Sequence, residues 1–525
     1  MEAGSLLPNE WLMVVLYVLG VLVWGYRLRG RASKSLEDSF FAGRQVPGLV
    51  ASFSTVATNL NANDFIGWAG AVYVFGVVMV HFPMHTSIVI TILSLVLMKK
   101  LRASNAYTLG GWLGRRYNPS VGLTYSIVWL FVWMPFGLGL YIYAGSVVLH
   151  TLVGWNLYAS IVILTIVAAT YTMLGGFRAV LVTDVLQLFF MFFPLVILCG
   201  LIWHEVGGPL QLLKDLPTSH GNLWTSDSPW GAIEIVLVGH LIMAMSFWAS
   251  DAQLVQRPIA TRDSNSAAMS YIGAGFWYAL LVPLLVIFPG LAAVKFFPNL
   301  DKPDFAMPML LREFLPHGLY GVAIVGLLSG VFSSVDSTIH AFSTMFTTDI
   351  YRGLGGKAEG RRLLWISRVA GIGLTLVGIA TAISYARSES GMFRYVASVI
   401  ATIMPPIAAV TILGALSKRS SPRGAVAGLV GGYLVALVML GMDLTGKLEG
   451  IAVDTSFFRC MVNFVVSAGL VFVVSCFDGH ESDLIVSTRR DDEKTSWQVK
   501  SSAVLLAVVI GAMYSLIIWF FGRSV

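Results

Sequence analysis

Apolar runs long enough to cross a lipid bilayer recur along the whole chain, and they constrain its fold more than any other feature. A membrane-spanning helix needs about 20 predominantly apolar residues, and about 14 runs of this kind can be counted. Only 12% of the 525 residues are charged while 56% are hydrophobic, and the mean hydropathy is +0.77. A soluble globular domain carries about twice that fraction of charge. We therefore predict an all-α, polytopic membrane protein of about 14 transmembrane helices.

The positions of the charges predict an orientation. If the N-terminus is outside and every run crosses, most of the 34 Lys and Arg residues fall in cytoplasmic connections, as the positive-inside rule requires. The net charge of +6 is thus a membrane signal and indicates no nucleic-acid partner. We expect a multi-pass protein of the cell membrane, and specifically of the bacterial inner membrane. Both termini are expected on the extracytoplasmic side, and lipid is the surrounding partner.

One membrane run, Leu328–Tyr351, is too rich in oxygen atoms for a lipid-facing helix. At helical spacing Gly330, Ser333, Ser334 and Ser337 share one face, and Asp336 borders it. Hydroxyls and carboxylates are ligands for hard cations, and a carboxylate in the membrane is costly and usually functional. We interpret this face as one wall of a sodium site. The alternative is a close helix–helix seam of small residues.

The second apolar run, Gly48–Phe75, is interrupted by the polar residues Asn59, Asn61, Asn63 and Asp64. Asn and Asp compete for backbone hydrogen bonds and are poor inside helices. We predict that the helix unwinds here, where irregular backbone is tolerated only if it lines a cavity or is buried. Backbone carbonyls near the break become cation ligands, and the polar side chains become solute contacts. The alternative is a continuous helix whose Asn side chains bond to neighbouring helices.

The seventh run contains a similar interruption, with His240, Ser250, Asp251 and Gln253 in or near the membrane. Interrupted helices at corresponding places in two halves are a pointer to a transporter binding site. We expect one integral membrane domain over residues 1–525, with a five-plus-five inverted-repeat core. Its parts are an extra N-terminal helix and loop (1–46), a first repeat (47–204), a second repeat (231–417) and peripheral helices (423–525).

Four motifs resemble those of the sodium/solute symporter family, which includes sodium–sugar, sodium–sialic acid and sodium–proline symporters. They are DSFFAGRQVPG (38–48) before ATNLNANDFIGWAG (57–70), YTMLGGFRAVLVTDVLQ (171–187), LVQRPIATRDS (254–264) and SSVDSTIHAFSTMFTTDIY (333–351). They occur in family order over about the first 420 residues. The resemblance implies a leucine-transporter-type fold whose first and sixth core helices are broken.

The same resemblance implies ligands for sodium. The general sodium site would use the carbonyls of Ala57, Leu60 and Gly330 and the hydroxyls of Ser333 and Ser334. A second cation site, present in some relatives, would use Asp184, Ser333, Asp336 and Ser337. Asp336 departs from the family, where Ser or Thr is usual. Two carboxylates at one site repel unless a cation or a proton joins them, so we expect a second sodium or a proton there.

Solute contacts are expected at the broken helices and on the third run, at Asn61, Asn63, Asp64, His81, His85, Trp248 and Asp251. Sugar-transporting relatives tend to have amides at the positions of Asp64 and Asp251. An ionised carboxylate favours an amino or quaternary group but also accepts hydrogen bonds from sugar hydroxyls. Pro405 and Pro406 would kink the eleventh run, either as a gate or as a static bend.

These features predict a sodium-coupled symporter that imports a small polar organic solute by alternating access. Sodium is the coupling ion, and no organic cofactor is expected. A sugar or polyol is the favoured solute class, and an amino acid, amine or other cation is the alternative. A passive facilitator, a proton-coupled transporter and a membrane sensor are the other functions considered. An enzyme is disfavoured because no catalytic constellation is present. Nothing in the sequence indicates the oligomeric state.

Overall fold

The computed structural model describes residues 7–32, 40–61, 64–221, 223, 233–387, 392–448, 455–479 and 496–521. Within these ranges the chain is helical, and the single β-bridge joins Val46 to Thr261. Ten helices of the described part are long and apolar enough to span a membrane, and two shorter apolar helices cover Leu157–Thr170 and Leu237–Ser250. The prediction of an all-α polytopic membrane protein is confirmed, whereas the count of 14 spans is not.

The molecule is built mainly from long apolar helices, with a few short ones between them. In chain order they are α1 (Pro8–Ala32), α2 (Gly48–Asn59), α3 (64–75), α4 (81–103), α5 (Leu109–Arg116), α6 (Pro119–Val153), α7 (Leu157–Val206), α8 (Ile233–Ser250), α9 (Ala252–Ile259), α10 (Ser264–Phe296), α11 (Ala306–Phe314), α12 (Leu319–Tyr351), α13 (Gly360–Arg387), α14 (Met392–Leu416), α15 (Pro422–Leu444), α16 (Thr455–Asp478) and α17 (Trp497–Phe521). Shorter helical turns connect several of them, among them Pro209–Asp215 and Pro303–Phe305.

Both predicted interruptions are present. The second apolar run is divided between α2, which ends at Asn59, and α3, which begins at Asp64. The seventh run is divided at Asp251, whose extended backbone separates α8 from α9. The alternative of a continuous second helix is therefore wrong. In both cases a short polar side chain stands where the helix stops.

Helix α7 contains two apolar stretches, Leu157–Met173 and Leu181–Ile202, each of which the sequence predicts as a separate membrane span. A straight helix of its 50 residues would be about 75 Å long. Instead, two distant residues of α7 contact neighbouring positions of α12. Leu164 and Val331 both lie beside Gly145, and Asp184 bonds to Ser333, which is two residues after Val331. The chain therefore folds back between Leu164 and Asp184, and the two legs of α7 run in opposite directions along α12.

Helix α12 is the centre of the molecule. Its most apolar window is 94% buried, against 28% for the corresponding window of α16 and 22% for that of α17. It packs against α1, α2, α6, α7 and α13. The oxygen-rich face of α12 is thus enclosed by protein, whereas the C-terminal helices leave most of their surface for lipid.

Helix α14 continues through Pro405 and Pro406. Each proline lacks the N–H that would bond to the carbonyl four residues earlier. The carbonyls of Ala401 and Thr402 therefore have no helical donor. The side-chain amide of Asn463, fully buried in α16, donates to both of these carbonyls at 3.2 and 3.4 Å. A peripheral helix therefore supplies the bonds that the two prolines remove.

Because of this pairing, we expect Asn463→Leu to destabilise the fold strongly. The substitution keeps the side-chain size and removes the two N–H donors. Each buried carbonyl left without a partner costs about 1–3 kcal/mol, so we expect a lower free energy of unfolding in detergent. The matched triple variant Asn463→Leu/Pro405→Ala/Pro406→Ala restores two backbone donors and should recover part of the loss. Equal stability of wild type and Asn463→Leu would contradict the pairing.

Candidate functional site

The break after α2 redirects two backbone donors. In a continuous helix Asn61 N–H would bond to the Ala57 carbonyl, but it donates to Oδ2 of Asp64 at 3.0 Å. Likewise Asp64 N–H donates to the Asn61 carbonyl at 3.0 Å rather than to Leu60. The carbonyls of Ala57 and Leu60 are therefore released from their usual helical donors, and these are the two carbonyls expected to bind sodium.

Helix α12 lies directly against this break. The hydroxyl of Ser334 donates to the Thr58 carbonyl at 3.2 Å and to the Gly330 carbonyl of its own helix at 3.1 Å. The hydroxyl of Ser333 points to the neighbouring helix α7 and donates to Oδ1 of Asp184 at 2.6 Å. A hydroxyl that donates its proton keeps its lone pairs for a cation. The structure thus brings the serines of α12 that are expected to bind sodium against the end of α2.

The charged group that contacts Asp184 is a guanidinium. Nη2 of Arg257, from α9, lies 3.2 Å from Oδ2 of Asp184, and both side chains are fully buried. Ser54 also donates to Oδ2 of Asp184. The sequence predicted that Asp336 and Asp184 approach one cation site, and the structure shows in addition Arg257 beside Asp184. Asp336 is also fully buried and accepts a 3.4 Å hydrogen bond from Ser337.

A cavity of about 100 Å³ lies beside the two breaks. Its polar wall comes from Asn59, Asn61, Asp64, Tyr141 and His240. Aromatic rings form much of the rest, namely Trp68, Trp133, Phe247, Trp248 and Phe393. None of the lining side chains within the described part of the chain is Lys or Arg. The cavity therefore suits a compact solute with hydrogen-bonding groups and an apolar or cationic face.

Three of the predicted solute residues line this cavity: Asn61, Asp64 and Trp248. Asn63 lies outside the described residues. The role of Asn61 and Asp64 is also structural, because the Asn61 amide donates to the carbonyls of Thr58 and Asn59, at 3.2 and 3.0 Å. One set of side chains thus holds the break and faces the solute space.

The other predicted solute residues lie outside the cavity lining. Asp251 caps the N-terminus of α9, where its Oδ1 accepts from the N–H groups of Gln253 and Leu254 at 2.8 and 2.9 Å. His81 is buried against α17, with Nδ1 3.1 Å from the Tyr514 hydroxyl. His85 lies behind His240, with ring centroids 5.6 Å apart. Their assignment to the solute stays a prediction.

The sequence analysis does not predict every residue of the site. His240, at the second interruption, lines the cavity but is not among the predicted solute contacts. Arg257, in the LVQRPIATRDS motif, is not among the predicted cation-site residues. A charged residue just after an interrupted membrane helix was the available signal, because such residues are rare in membranes and need partners.

The described geometry places a broken membrane helix beside a cavity, which is the arrangement expected of a membrane transporter. The chain belongs to the sodium:solute symporter family, whose model matches residues 39–432. It is a sodium-coupled symporter of a small polar solute, with sodium as the coupling ion. The family and the relatives found are transporters.

The relatives and structural neighbours agree with this assignment. Mouse sodium/myo-inositol cotransporter 2 is 29% identical over 482 residues, which cover 84% of this chain and 71% of that protein. The Vibrio parahaemolyticus sodium/glucose cotransporter is 25% identical over 534 residues, covering 96% of each chain. The fold is similar to that of a substrate-bound, outward-open sodium-coupled sialic acid symporter, with a TM-score of 0.76, 18% identity, and coverage of 90% of this chain and 99% of that one.

Ser334 provides a test of the first sodium site. Ser334→Ala should raise the sodium concentration that half-maximally stabilises the purified protein, because one ligand of the ion is lost. A bond to a charged group is worth about 1.5–3 kcal/mol, so the expected increase is roughly 10- to 100-fold. Sodium-dependent thermal unfolding measures this concentration.

Ser329→Ala is the matched control, because Ser329 lies on the same helix, is fully buried, and bonds to the Val325 carbonyl of α12 itself. It should leave the sodium dependence unchanged. Equal sodium dependence of Ser334→Ala and wild type would contradict the assignment.

Proposed function

We propose that the chain imports a sugar or polyol together with sodium by alternating access. The observation that carries this proposal is the shared break: the segment that releases the carbonyls of Ala57 and Leu60 also presents Asn61 and Asp64 to the cavity. The relatives that transport myo-inositol and glucose support the solute class. The carboxylate of Asp64 accepts hydrogen bonds from hydroxyl groups, and aromatic rings pack against the apolar faces of such solutes.

Sodium binding and solute binding are coupled through the broken helix. We propose that sodium joins the carbonyls of Ala57, Leu60 and Gly330 to the hydroxyls of Ser333 and Ser334. This ties α2 to α12 and holds Asn61 and Asp64 in the orientation that receives solute. A ligand can shift a conformational equilibrium only by its differential affinity for the two states. In this account the outward-facing state is the one that contains the complete sodium site.

The sodium gradient supplies enough free energy for accumulation. One charge that moves through 100 mV releases about 2.3 kcal/mol, and a tenfold sodium gradient adds roughly 1.4 kcal/mol. The sum supports an accumulation ratio of several hundred for each coupled sodium, by the rule that about 1.4 kcal/mol corresponds to tenfold.

We also propose how the whole chain is organised in the membrane. The two five-helix units, 47–204 and 231–417, form the inverted-repeat core, with a helix before it and peripheral helices in 423–525. Both termini face the outside of the cell membrane, in a bacterium the inner membrane. We propose that the chain performs transport without chemical conversion of the solute. Pro405 and Pro406 mark the helix that moves at the gate, and Asn463 limits the bend.

An organic cation is the second candidate solute. Aromatic rings of the lining, including Trp68 and Trp248, stand near one wall carboxylate, Asp64, and no lining residue that the structure describes is basic. Aromatic faces attract ammonium groups at a distance of about 6 Å or less from the ring centroid. This arrangement fits an amine or a quaternary ammonium group as well as it fits a polyol.

Asp64→Asn separates the two candidates. A polyol loses one stronger hydrogen bond, so its affinity should fall by roughly 2- to 10-fold. An organic cation loses its counter-charge and should lose roughly tenfold or more. Thermal shifts of the purified protein with myo-inositol, glucose, proline and choline, each with sodium or with potassium, measure both effects.

We expect sodium-dependent stabilisation by myo-inositol or glucose that weakens but persists in Asp64→Asn. Stabilisation by choline or proline alone, abolished in Asp64→Asn, would overturn the sugar proposal in favour of the cationic solute. A solute shift of equal size in sodium and in potassium would contradict coupling.

A further inference from the structure

Arg257 joins four helices at the place where a second cation was expected. Its Nε donates to the Ser54 hydroxyl of α2 at 3.0 Å, and its Nη1 donates to the Gln253 carbonyl of α9 at 2.6 Å. Its Nη2 contacts the carboxylate of Asp184 on α7 at 3.2 Å and donates to the Ser337 hydroxyl on α12 at 2.6 Å. The guanidinium is thus fully buried and held by several oxygen atoms.

The oxygen atoms around Arg257 coincide with those expected to bind the second cation. Asp184 and Ser337 contact Nη2 directly, and Ser333 donates to the other carboxylate oxygen of Asp184. Three of the four predicted ligands therefore belong to one cluster, and the cluster already contains a positive charge. A metal ion bonded to the same oxygens of Asp184 and Ser337 would overlap the nitrogen.

Because Asp184 is fully buried, its carboxylate needs a positively charged partner. A carboxylate without a partner in a dry interior is strongly disfavoured, and breaking a buried ion pair by removing one partner costs about 3–5 kcal/mol. A guanidinium is always charged and offers five donors in a rigid plane. It can therefore neutralise Asp184 and satisfy the hydroxyls of Ser54 and Ser337 at the same time, as a spherical ion at that position would do.

The cluster also reaches the first sodium site. Arg257 donates to the Thr58 hydroxyl, and that hydroxyl lies 3.3 Å from the hydroxyl of Ser337. The carbonyl of the same Thr58 accepts from Ser334 at 3.2 Å. The guanidinium therefore contacts the residue that follows Ala57, whose carbonyl is released at the first break. Arg257 itself lies on α9, the helix that begins at the second break.

We propose that Arg257 is a built-in cation that takes the place of a second sodium, so that the protein binds one sodium ion. This inference rests on the proposed sodium site at Ala57, Leu60, Gly330, Ser333 and Ser334. It replaces the expectation that Asp336 and Asp184 share a second sodium or a proton. Arg257 keeps Asp184 neutralised through the transport cycle, and sodium at the first site is the ion that enters and leaves.

The test is the number of sodium ions bound by the purified full chain. Equilibrium binding of radioactive sodium, with potassium as the background cation and no solute present, should saturate at one ion per protein. Saturation at two ions would overturn the inference while leaving sodium coupling intact. No saturable binding would contradict the proposed sodium site itself, and the inference would fall with it.

Arg257→Gln provides the second arm of the experiment. The variant leaves Asp184 without its guanidinium, so a second sodium should bind and the stoichiometry should rise from one to two. Arg257→Lys keeps the charge and should stay at one. The double variant Arg257→Gln/Asp184→Asn removes both charges and should also return to one.

A folded Arg257→Gln that still binds one ion would overturn the inference. If this variant does not fold, the comparison of wild type with the double variant decides the matter. Both should bind one ion under the proposal, whereas loss of one ion on going from wild type to the double variant would show that Asp184 holds sodium in the wild type.

Discussion

A backbone carbonyl inside a membrane has to find a donor or a cation, and much of this structure follows from that requirement. Water is absent from the hydrocarbon region, so each unsatisfied polar group costs several kcal/mol. At the first break the donors Asn61 N–H and Asp64 N–H turn to new acceptors, which leaves the carbonyls of Ala57 and Leu60 for an ion. Side chains thus hold the break together, and in the proposed function sodium completes it.

At two other irregular places, side chains bond to backbone groups that lack helical partners. At the second break the carboxylate of Asp251 accepts from two N–H groups that begin α9. At Pro405 and Pro406 the amide of Asn463 donates to two carbonyls that lack helical donors. At each of these two places one buried side chain bonds to two backbone groups. At the first break the carbonyls of Ala57 and Leu60 are the ones expected to bind sodium.

A fixed positive charge, the guanidinium of Arg257, lies beside the proposed sodium site. Arg257 and Asp184 form a fully buried pair that connects α2, α7, α9 and α12 through the hydroxyls around them. A buried ion pair is weak evidence for stability but is sensitive to the loss of either partner. Its contacts with Ser54 and Thr58 connect the pair to the end of α2, beside the proposed sodium site.

The membrane class, the helical fold and the two breaks were predictable from the sequence because each depends on local composition. Runs of apolar residues require helices in lipid, and clusters such as Asn59 to Asp64 interrupt them. The oxygen-rich face of α12 was equally local, since it follows from helical spacing.

The partners of the site residues were less predictable, because they depend on how distant segments meet. Asp184 and Arg257 are 73 positions apart, and no spacing rule connects them. The capping role of Asp251 and the separation of His81 from the cavity likewise depend on packing. Of the predicted solute residues, Asn61, Asp64 and Trp248 line the cavity, because they lie at or near the breaks.

Hydrogen exchange of the purified protein, compared in sodium and in potassium, tests the central claim most directly. Exchange reports local opening of the backbone segment by segment. Sodium that binds between α2 and α12 should slow exchange in the peptides that contain Ala57 to Asp64 and Gly330 to Ser337, while potassium should not. Equal exchange of these two segments in both salts, or protection confined to other helices, would contradict the account.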